Sequence, residues 1–336
     1  MKEDKILLSH GSGGKLSYKL TKDLFLSNFN NPYLKKLDDG AILDIKGLKL
    51  AYSTDSYTVD PLFFNGGDIG ELAVNGTVND LAMCGAKPLY LSCGFILEEG
   101  ITLSLLRRIV ESMKRAAEIA KVNIVTGDTK VVNKGAADKI FINTSGIGII
   151  KEGINISGRN ARVGDIIITN GTMGDHGITV LSEREGLKFK TTIKSDTAPL
   201  SFLVADMLEV SDNVHVLRDP TRGGLSTTLN EIAISSEVEI EIDEENIPIR
   251  EEVRAACEIL GYDPLYLANE GKLIAFVSPE DSLKVLKKMK QNKYGNESKI
   301  IGRVIKKSSG HVYLKTKIGG KRIIDMLSGE QLPRIC

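Results

Sequence analysis

The chain has 336 residues, 42% hydrophobic and 26% charged with no Trp, enough for two domains and a sizeable core. Lys+Arg and Asp+Glu stand at 44 each, so nothing electrostatic argues for nucleic acid or an anionic membrane as partner. No apolar run reaches bilayer-spanning length, and Met1–Asp4 leads into only a short one, so neither a membrane span nor a secretory signal is expected.

An apolar run at 5–8 breaks at His10-Gly11-Ser12-Gly13-Gly14-Lys15. This is not a Walker loop, whose glycine spacing and Lys-Ser/Thr ending differ. Lys15 could meet a phosphate, but a flexible N-terminal segment is the simpler expectation. Leu37-Asp38-Asp39-Gly40 precedes a strand expected over 48–53, which ends in Thr54-Asp55-Ser56. Gly66-Gly67-Asp68-Ile69-Gly70 opens a helix through about residue 84, carrying Asn79-Asp80. Its glycines and asparagines are poor helix formers, so it either turns a polar face to a ligand or packs tightly on another helix. A strand is expected over 89–97. Over 102–121, Leu103, Leu106, Val110, Met113, Ala117 and Ala120 recur at helical spacing and predict a packing helix. A strand at 123–126 is expected to end in a Gly127-Asp128-Thr129-Lys130 turn, with another apolar run at 140–150.

Residues 153–164 read as a linker, placing a domain boundary near 155. A strand over 165–169 leads into the turn Asn170–Gly177, which contains His176, and a helix is expected over about 197–211. In Leu217-Arg218-Asp219-Pro220-Thr221-Arg222-Gly223-Gly224-Leu225, two arginines flank a glycine pair that starts a helix running to about 235. That pattern suits an anion site, or equally a salt-bridged helix start. Acid-rich 237–252 and Lys-rich 284–307 read as solvated faces. A strand over 264–268 is expected to run into Asn269-Glu270-Gly271-Lys272, and Ser278-Pro279-Glu280-Asp281 is a good helix start. Strands at 299–305 and 311–316 precede the tail.

Cys84, Cys93, Cys257 and Cys336 show neither zinc nor disulfide spacing. They read as reduced thiols in a cytoplasm, the first three in apolar settings that suit a core. Cys336 is the final residue, which puts a thiol on a chain end of the kind that is usually mobile. Asp39, Asp55, Asp80 and Asp128 follow or flank apolar runs. Carboxylates of this kind suit Mg²⁺ and a nucleoside triphosphate, or are ordinary turn aspartates; spacing does not decide.

The runs Asp38-Asp39-Gly40-Ala41, Ser53-Thr54-Asp55, Gly67-Asp68-Ile69-Gly70, Asn79-Asp80-Leu81-Ala82, Gly127-Asp128-Thr129 and Asp219-Pro220-Thr221-Arg222-Gly223-Gly224 resemble the aminoimidazole-ribonucleotide-synthetase-like (PurM-like) superfamily. With Asn269-Glu270-Gly271 and terminal Pro333-Arg334-Ile335-Cys336, the resemblance is strongest to its carbamoyl dehydratase (HypE) family, which serves hydrogenase maturation. The resemblance implies an α/β and α+β two-domain PurM-like fold: an ATP-binding and dimerisation domain over 1–154 that contributes to an intersubunit β-barrel, a C-terminal domain over 155–325, and a mobile tail over 326–336. It implies a cytoplasmic homodimer using ATP and Mg²⁺, with Asp39, Asp55, Asp80 and Asp128 on metal and phosphate and Gly127 and Thr129 beside the phosphates. Cys336 would be a carrier thiol, carbamoylated by a HypF carbamoyltransferase, dehydrated to a thiocyanate, and unloaded onto a HypC–HypD complex. Glu270 is then the expected base and Lys130 the expected cation, with His10 and His176 as auxiliary groups. Pro333 would stiffen the tail and Arg334 pair with a carboxylate or phosphate. A small-molecule kinase or synthetase of the same superfamily and a non-catalytic docking protein are the competing expectations.

Overall fold

The computed structural model describes residues 5–29, 31–186, 193–329, 332 and 334–336. Helices α1 (Lys15–Leu20) and α2 (Leu26–Phe29) form an N-terminal arm. There follow β1 (Ala41–Ile45), β2 (Leu48–Tyr57), the short hairpin β3 (Phe63–Phe64) and β4 (Gly67–Asp68), α3 (Ile69–Met83), β5 (Ala86–Glu98), α4 (Leu103–Ala120), β6 (Asn123–Val132) and β7 (Ile140–Ile150). Five of these strands make one sheet in the order β1-β2-β7-β5-β6, so β6 is an edge, paired parallel to β5.

Alternation along β2 and β7 gives this sheet two different faces. Ala51, Ser53 and Tyr57 are buried on one, with Thr144 opposite Asp55, whereas Tyr52, Thr54, Ser56 and Asn143 face out. Helix α3 covers the inner face and is buried almost all round. Asp68 caps it, accepting from Gly70 N (2.8 Å) and Glu71 N. Its glycines serve packing: a Cβ at Gly70 would strike the Ile109 carbonyl of α4, and one at Gly76 the Tyr57 hydroxyl. Thr102 caps α4, which turns Ile109, Met113, Ala116 and Ala120 inward; Leu103 and Val110, expected on that face, lie exposed.

The second half supplies β8 (Ile166–Thr169), α5 (Asp175–Arg184), α6 (Ser201–Val210), β9 (Val214–Arg218), α7 (Gly224–Ser236), β10 (Val238–Asp243), α8 (Glu251–Leu260), β11 (Ile274–Val277), α9 (Pro279–Met289), β12 (Lys299–Lys307), β13 (His311–Lys315) and β14 (Lys321–Ile324). Its seven-stranded sheet runs β14-β13-β10-β12-β8-β11-β9. Central strands are apolar on both sides because both are covered. Ile167, Val216 and Phe276 pack with Leu225 and Leu229 of α7, whereas Ile168, Ala275 and Val277 pack with Leu203 and Met207 of α6 and Val285 of α9. The latter cluster takes in Ala51, Leu81 and Met83, so one core continues from sheet to sheet.

Several expectations are corrected. Residues 127–130 form no turn: β6 runs straight through them. The strand expected at 264–268 is instead a 3₁₀ turn, Pro264–Tyr266, because Pro264 starts it and the Asp263 carboxylate accepts from Leu265 N (3.0 Å). The acid-rich stretch contains β10, whose Glu239 and Glu241 pair with Lys306 and Lys321. The glycine-rich N-terminal loop is pinned: a Cβ on Gly13 would strike Arg222, and Lys15 N donates to Leu327 O (2.9 Å). Among the described residues no helix is long and apolar enough to cross a membrane.

Candidate active site

Where the two halves meet, a cleft of about 750 Å³ opens between the N-terminal arm and the body, lined by Tyr18, Tyr33, Tyr52 and Arg159 among others. Asp39, Thr54, Arg218 and Arg222 also line a deeper chamber of about 250 Å³ that holds Asp55, Asp80 and Asp219. Each acid is brought there by a different element: Asp39 by the turn before β1, Asp55 by the inner face of β2, Asp80 by α3, and Asp219 by the loop after β9.

Burial pushes all four carboxyls above their ordinary range, Asp219 to about 6. Mutual repulsion adds to this, since Asp80 feels Asp219, Asp55 and Asp39. Arg218 opposes the effect at one end, its Nε 2.6 Å from Asp39 and a terminal nitrogen 2.8 Å from Glu231. Ser53 Oγ lies 2.5 Å from Asp80 and 3.1 Å from the Asp39 carbonyl. Asp39 Oδ2 is buried with no hydrogen-bond partner. An acid cluster that is so incompletely neutralised suits a bound cation. Among the described residues no three acidic, His or Cys side chains close on a metal by themselves.

Glu270 is buried, with Oε1 unpartnered, and near enough to Asp219, Asp55 and Arg222 to feel their charges. Its loop is held by main-chain contacts: Glu270 N donates to Asp196 (3.0 Å), and Asn79 Nδ2 donates to Glu270 O (3.2 Å). Gly271 is obligatory there, since a Cβ would collide with the Asp196 carbonyl. Burial first, then Asp196, Asp219 and Asp55, push the Glu270 carboxyl well up, and Arg222 opposes them. Its burial takes it off the protein surface.

The chain end comes within electrostatic reach of the same acids. Thr58 N donates to Cys336 O (2.9 Å) and Asp60 N to Arg334 O (3.3 Å). Ile335 is 4% exposed, a burial worth about 2 kcal/mol. The Cys336 side chain is half-buried; desolvation pushes its thiol up, Arg222 opposes, and Glu270, Asp55 and Asp219 add to the rise. Arg222, held by its donation to Gly11 O (2.9 Å), keeps its proton more firmly because of Cys336, then Asp55, Glu270 and Asp80. It is the cation common to the tail and the acids. Pro333 lies outside the described residues. Arg334 pairs with Asp138, as a carboxylate partner was expected to do.

Asp128 and Lys130 are elsewhere. Asp128 lies opposite Gly94, which lies opposite Asn143, which lies opposite Ser56, a row on the outer face. Three strand spacings, roughly 14 Å, and the sheet itself separate it from Asp55. Lys130 pairs with Asp128 at 2.7 Å, both about two-thirds exposed, and the lysine holds the Asp128 carboxyl below its usual range. Thr129 is exposed on the same edge, and Gly127 is needed because a Cβ would strike the Cys93 carbonyl of β5. Within one chain none of these four residues joins the buried acids. His10 accepts from Leu7 N (3.0 Å) in its own turn, and Lys15 pairs with Asp325. His176 is buried, its Nε2 2.7 Å from Ile335 O, so it contacts the tail's main chain. Sequence reasoning passed over Arg184 and Asp138 and did not count Asp219 among the site acids; it offered Arg222 only within a run that suits an anion site or a salt-bridged helix start.

Comparison with known proteins matches residues 37–150 to the N-terminal domain and 162–315 to the C-terminal domain of AIR synthase related proteins. The chain is 52% identical to carbamoyl dehydratase HypE of Cupriavidus necator, covering 100% of this chain and 96% of that one. A crystal structure of hydrogenase maturation protein HypE in complex with ATP is 54% identical with a TM-score of 0.83, covering 99% and 100% of the two chains. The crystal structure of a HypE–HypF complex contains a chain 49% identical with a TM-score of 0.88, covering 92% and 99%.

Proposed function

The chain belongs to the AIR synthase related family and, within it, to the HypE carbamoyl dehydratases of hydrogenase maturation, and from that premise we propose how its own residues carry the reaction. It is an ATP-dependent enzyme that works with HypF. The observation that carries the mechanism is the docked chain end, held by Thr58, Asp60 and His176, which brings the Cys336 thiol within electrostatic reach of Arg222, Glu270, Asp55 and Asp219.

Cys336 enters as an S-carbamoyl thioester. Its carbonyl oxygen attacks the γ-phosphorus of ATP, the bond to the β-phosphate oxygen breaks, and ADP leaves. An N–H proton lost at this stage leaves an O-phosphorylated imidate. Removal of the remaining N–H proton then forms the C≡N bond as the C–O bond breaks, and inorganic phosphate departs with that electron pair. Cys336 is left as a thiocyanate, ready for a HypC–HypD acceptor. Arg222 faces the charge that builds on the transferring phosphoryl group. Glu270 takes the nitrogen proton; its raised affinity for protons suits a weakly acidic N–H. Asp39, Asp55 and Asp80, with Asp219, would hold Mg²⁺, which supplies charge neutralisation at the phosphates when bound. The tyrosine-lined cleft leads into that chamber and accommodates the nucleoside.

The protein works as a homodimer in this reading. Tyr52, Tyr90, Ile96, Ile147 and Ile149 stand 37–45% exposed on the outer face of the first sheet, beside the open edge of β6. A second copy packed there covers this apolar face and pairs the edge. It is also the arrangement that lets Asp128, Thr129 and Lys130 of one chain serve the acids of the other. The test is mass spectrometry of the C-terminal peptide after incubation with HypF, carbamoyl phosphate and ATP. Conversion of the carbamoyl adduct to a cyano adduct is expected, with none in Cys336→Ala; an unimpaired Cys336→Ala enzyme would overturn the carrier role.

A further inference from the structure

We infer that residues 58–60, together with Asp138, His176 and Arg184, form a peptide groove that recognises a C-terminal Arg-Ile-Cys through its main-chain carbonyls and side chains, whether or not the peptide is tethered. The inference rests on the carrier reading above and deepens it by naming what selects the substrate. The pairs Thr58 N to Cys336 O (2.9 Å) and Asp60 N to Arg334 O (3.3 Å) advance by two residues on both segments in opposite directions. The two contacts run in antiparallel sense, but Arg334 is left-handed (φ 50°) and the tail is not a regular strand. The intervening carbonyl, Ile335 O, is met by His176 Nε2 at 2.7 Å. Ser195 Oγ lies 2.8 Å from the ring's Nδ1, which fixes the imidazole's orientation. Arg184 clamps both segments, donating to Asp60 O (2.8 Å) and Arg334 O (2.7 Å).

Sequence choice comes from the side chains. Ile335 is buried in the cluster that includes Phe64, Val180 and Ala268. Arg334 pairs with Asp138 and donates from Nε to Thr58 O (2.8 Å). These contacts all fall on the last three residues and draw on both halves of the fold, β2's continuation and α5. The covalent tether contributes effective concentration, on the order of millimolar for a short flexible linker, besides the packing of Leu332 on the same core. A free peptide ending in Arg-Ile-Cys with a small neutral group on sulfur is therefore a substrate at that concentration.

The experiment uses the full chain carrying Ile335→Asp and Cys336→Ala, which cannot seat its own tail. A labelled S-carbamoyl acetyl-Pro-Arg-Ile-Cys peptide is titrated against it by fluorescence polarisation, then incubated with ATP and weighed by mass spectrometry. Saturable binding is expected, with ATP-dependent loss of one water from the peptide, and about tenfold weaker binding when Asp138→Ala is added or when Glu replaces the peptide's Arg. No binding at several millimolar, while the intact carbamoylated chain still converts its own cysteine, would overturn the groove and leave the carrier reading standing. Failure of the intact chain to convert would overturn the carrier reading, and the binding arm would still decide the groove.

Discussion

The two faces of the first sheet carry carboxylates in opposite situations. On the inner face Asp55 sits among Asp39, Asp80 and Asp219, where burial pushes every carboxyl up and Arg218 and Arg222 offset only part of the charge. On the outer face Asp128 stands in solvent beside Lys130, and its carboxyl is held down. The same residue type in similar glycine-rich runs is thus a destabilised buried acid on one side and an ordinary ion pair on the other. The inner face gathers its acids within one chain, whereas the outer face is an exposed surface that, in the homodimer reading, a second chain completes.

Glu270→Gln tests the inner face most severely. A drop of about 10²- to 10⁴-fold in cyano-adduct formation is expected, with ATP binding retained; equal loss of both would assign Glu270 to structure. In the unaltered enzyme the rate should fall as pH drops through the raised Glu270 pKa, because the protonated acid cannot accept the nitrogen proton. Rate profiles on pre-carbamoylated protein read this limb directly.

Mixing variants asks whether the outer face serves a neighbour's site. Lys130→Ala and Glu270→Gln chains, each inactive alone, should recover about a quarter of wild-type activity when co-refolded, since half the dimers are mixed and each has one intact site. No recovery would mean that both residues act from one chain or that Lys130 does not act. Ile147→Asp, on the outer face, should halve the mass in light scattering and lower activity with it; an unchanged dimer would place the interface elsewhere.

The smallest effect is on stability. Asp80 is more easily protonated when folded than when unfolded, so raising the pH through that interval ionises it at a cost to the fold. Asp80→Asn removes the cost and should raise stability near neutral pH by about 1 kcal/mol, roughly 2–4 °C in melting temperature, while weakening Mg-ATP binding. A lower melting temperature would show that the Ser53 contact outweighs the repulsion.

Composition and local pattern were enough for the strand-rich two-part organisation and for Asp39, Asp55, Asp80, Asp128 and Cys336 as residues to watch, because periodicity and glycine-flanked acids are local properties; Glu270 entered through the family resemblance, and Ser278, expected to cap its helix, makes no side-chain cap bond. Tertiary structure decided which of them meet. A side chain's face depends on pairing register, so Asp128 parted from Asp55 only once the row Ser56–Asn143–Gly94–Asp128 was known. The tail's partners lie far away in sequence, at Thr58, Asp138, His176 and Arg184. No periodicity connects them, because a docked terminus obeys the shape of the groove that receives it.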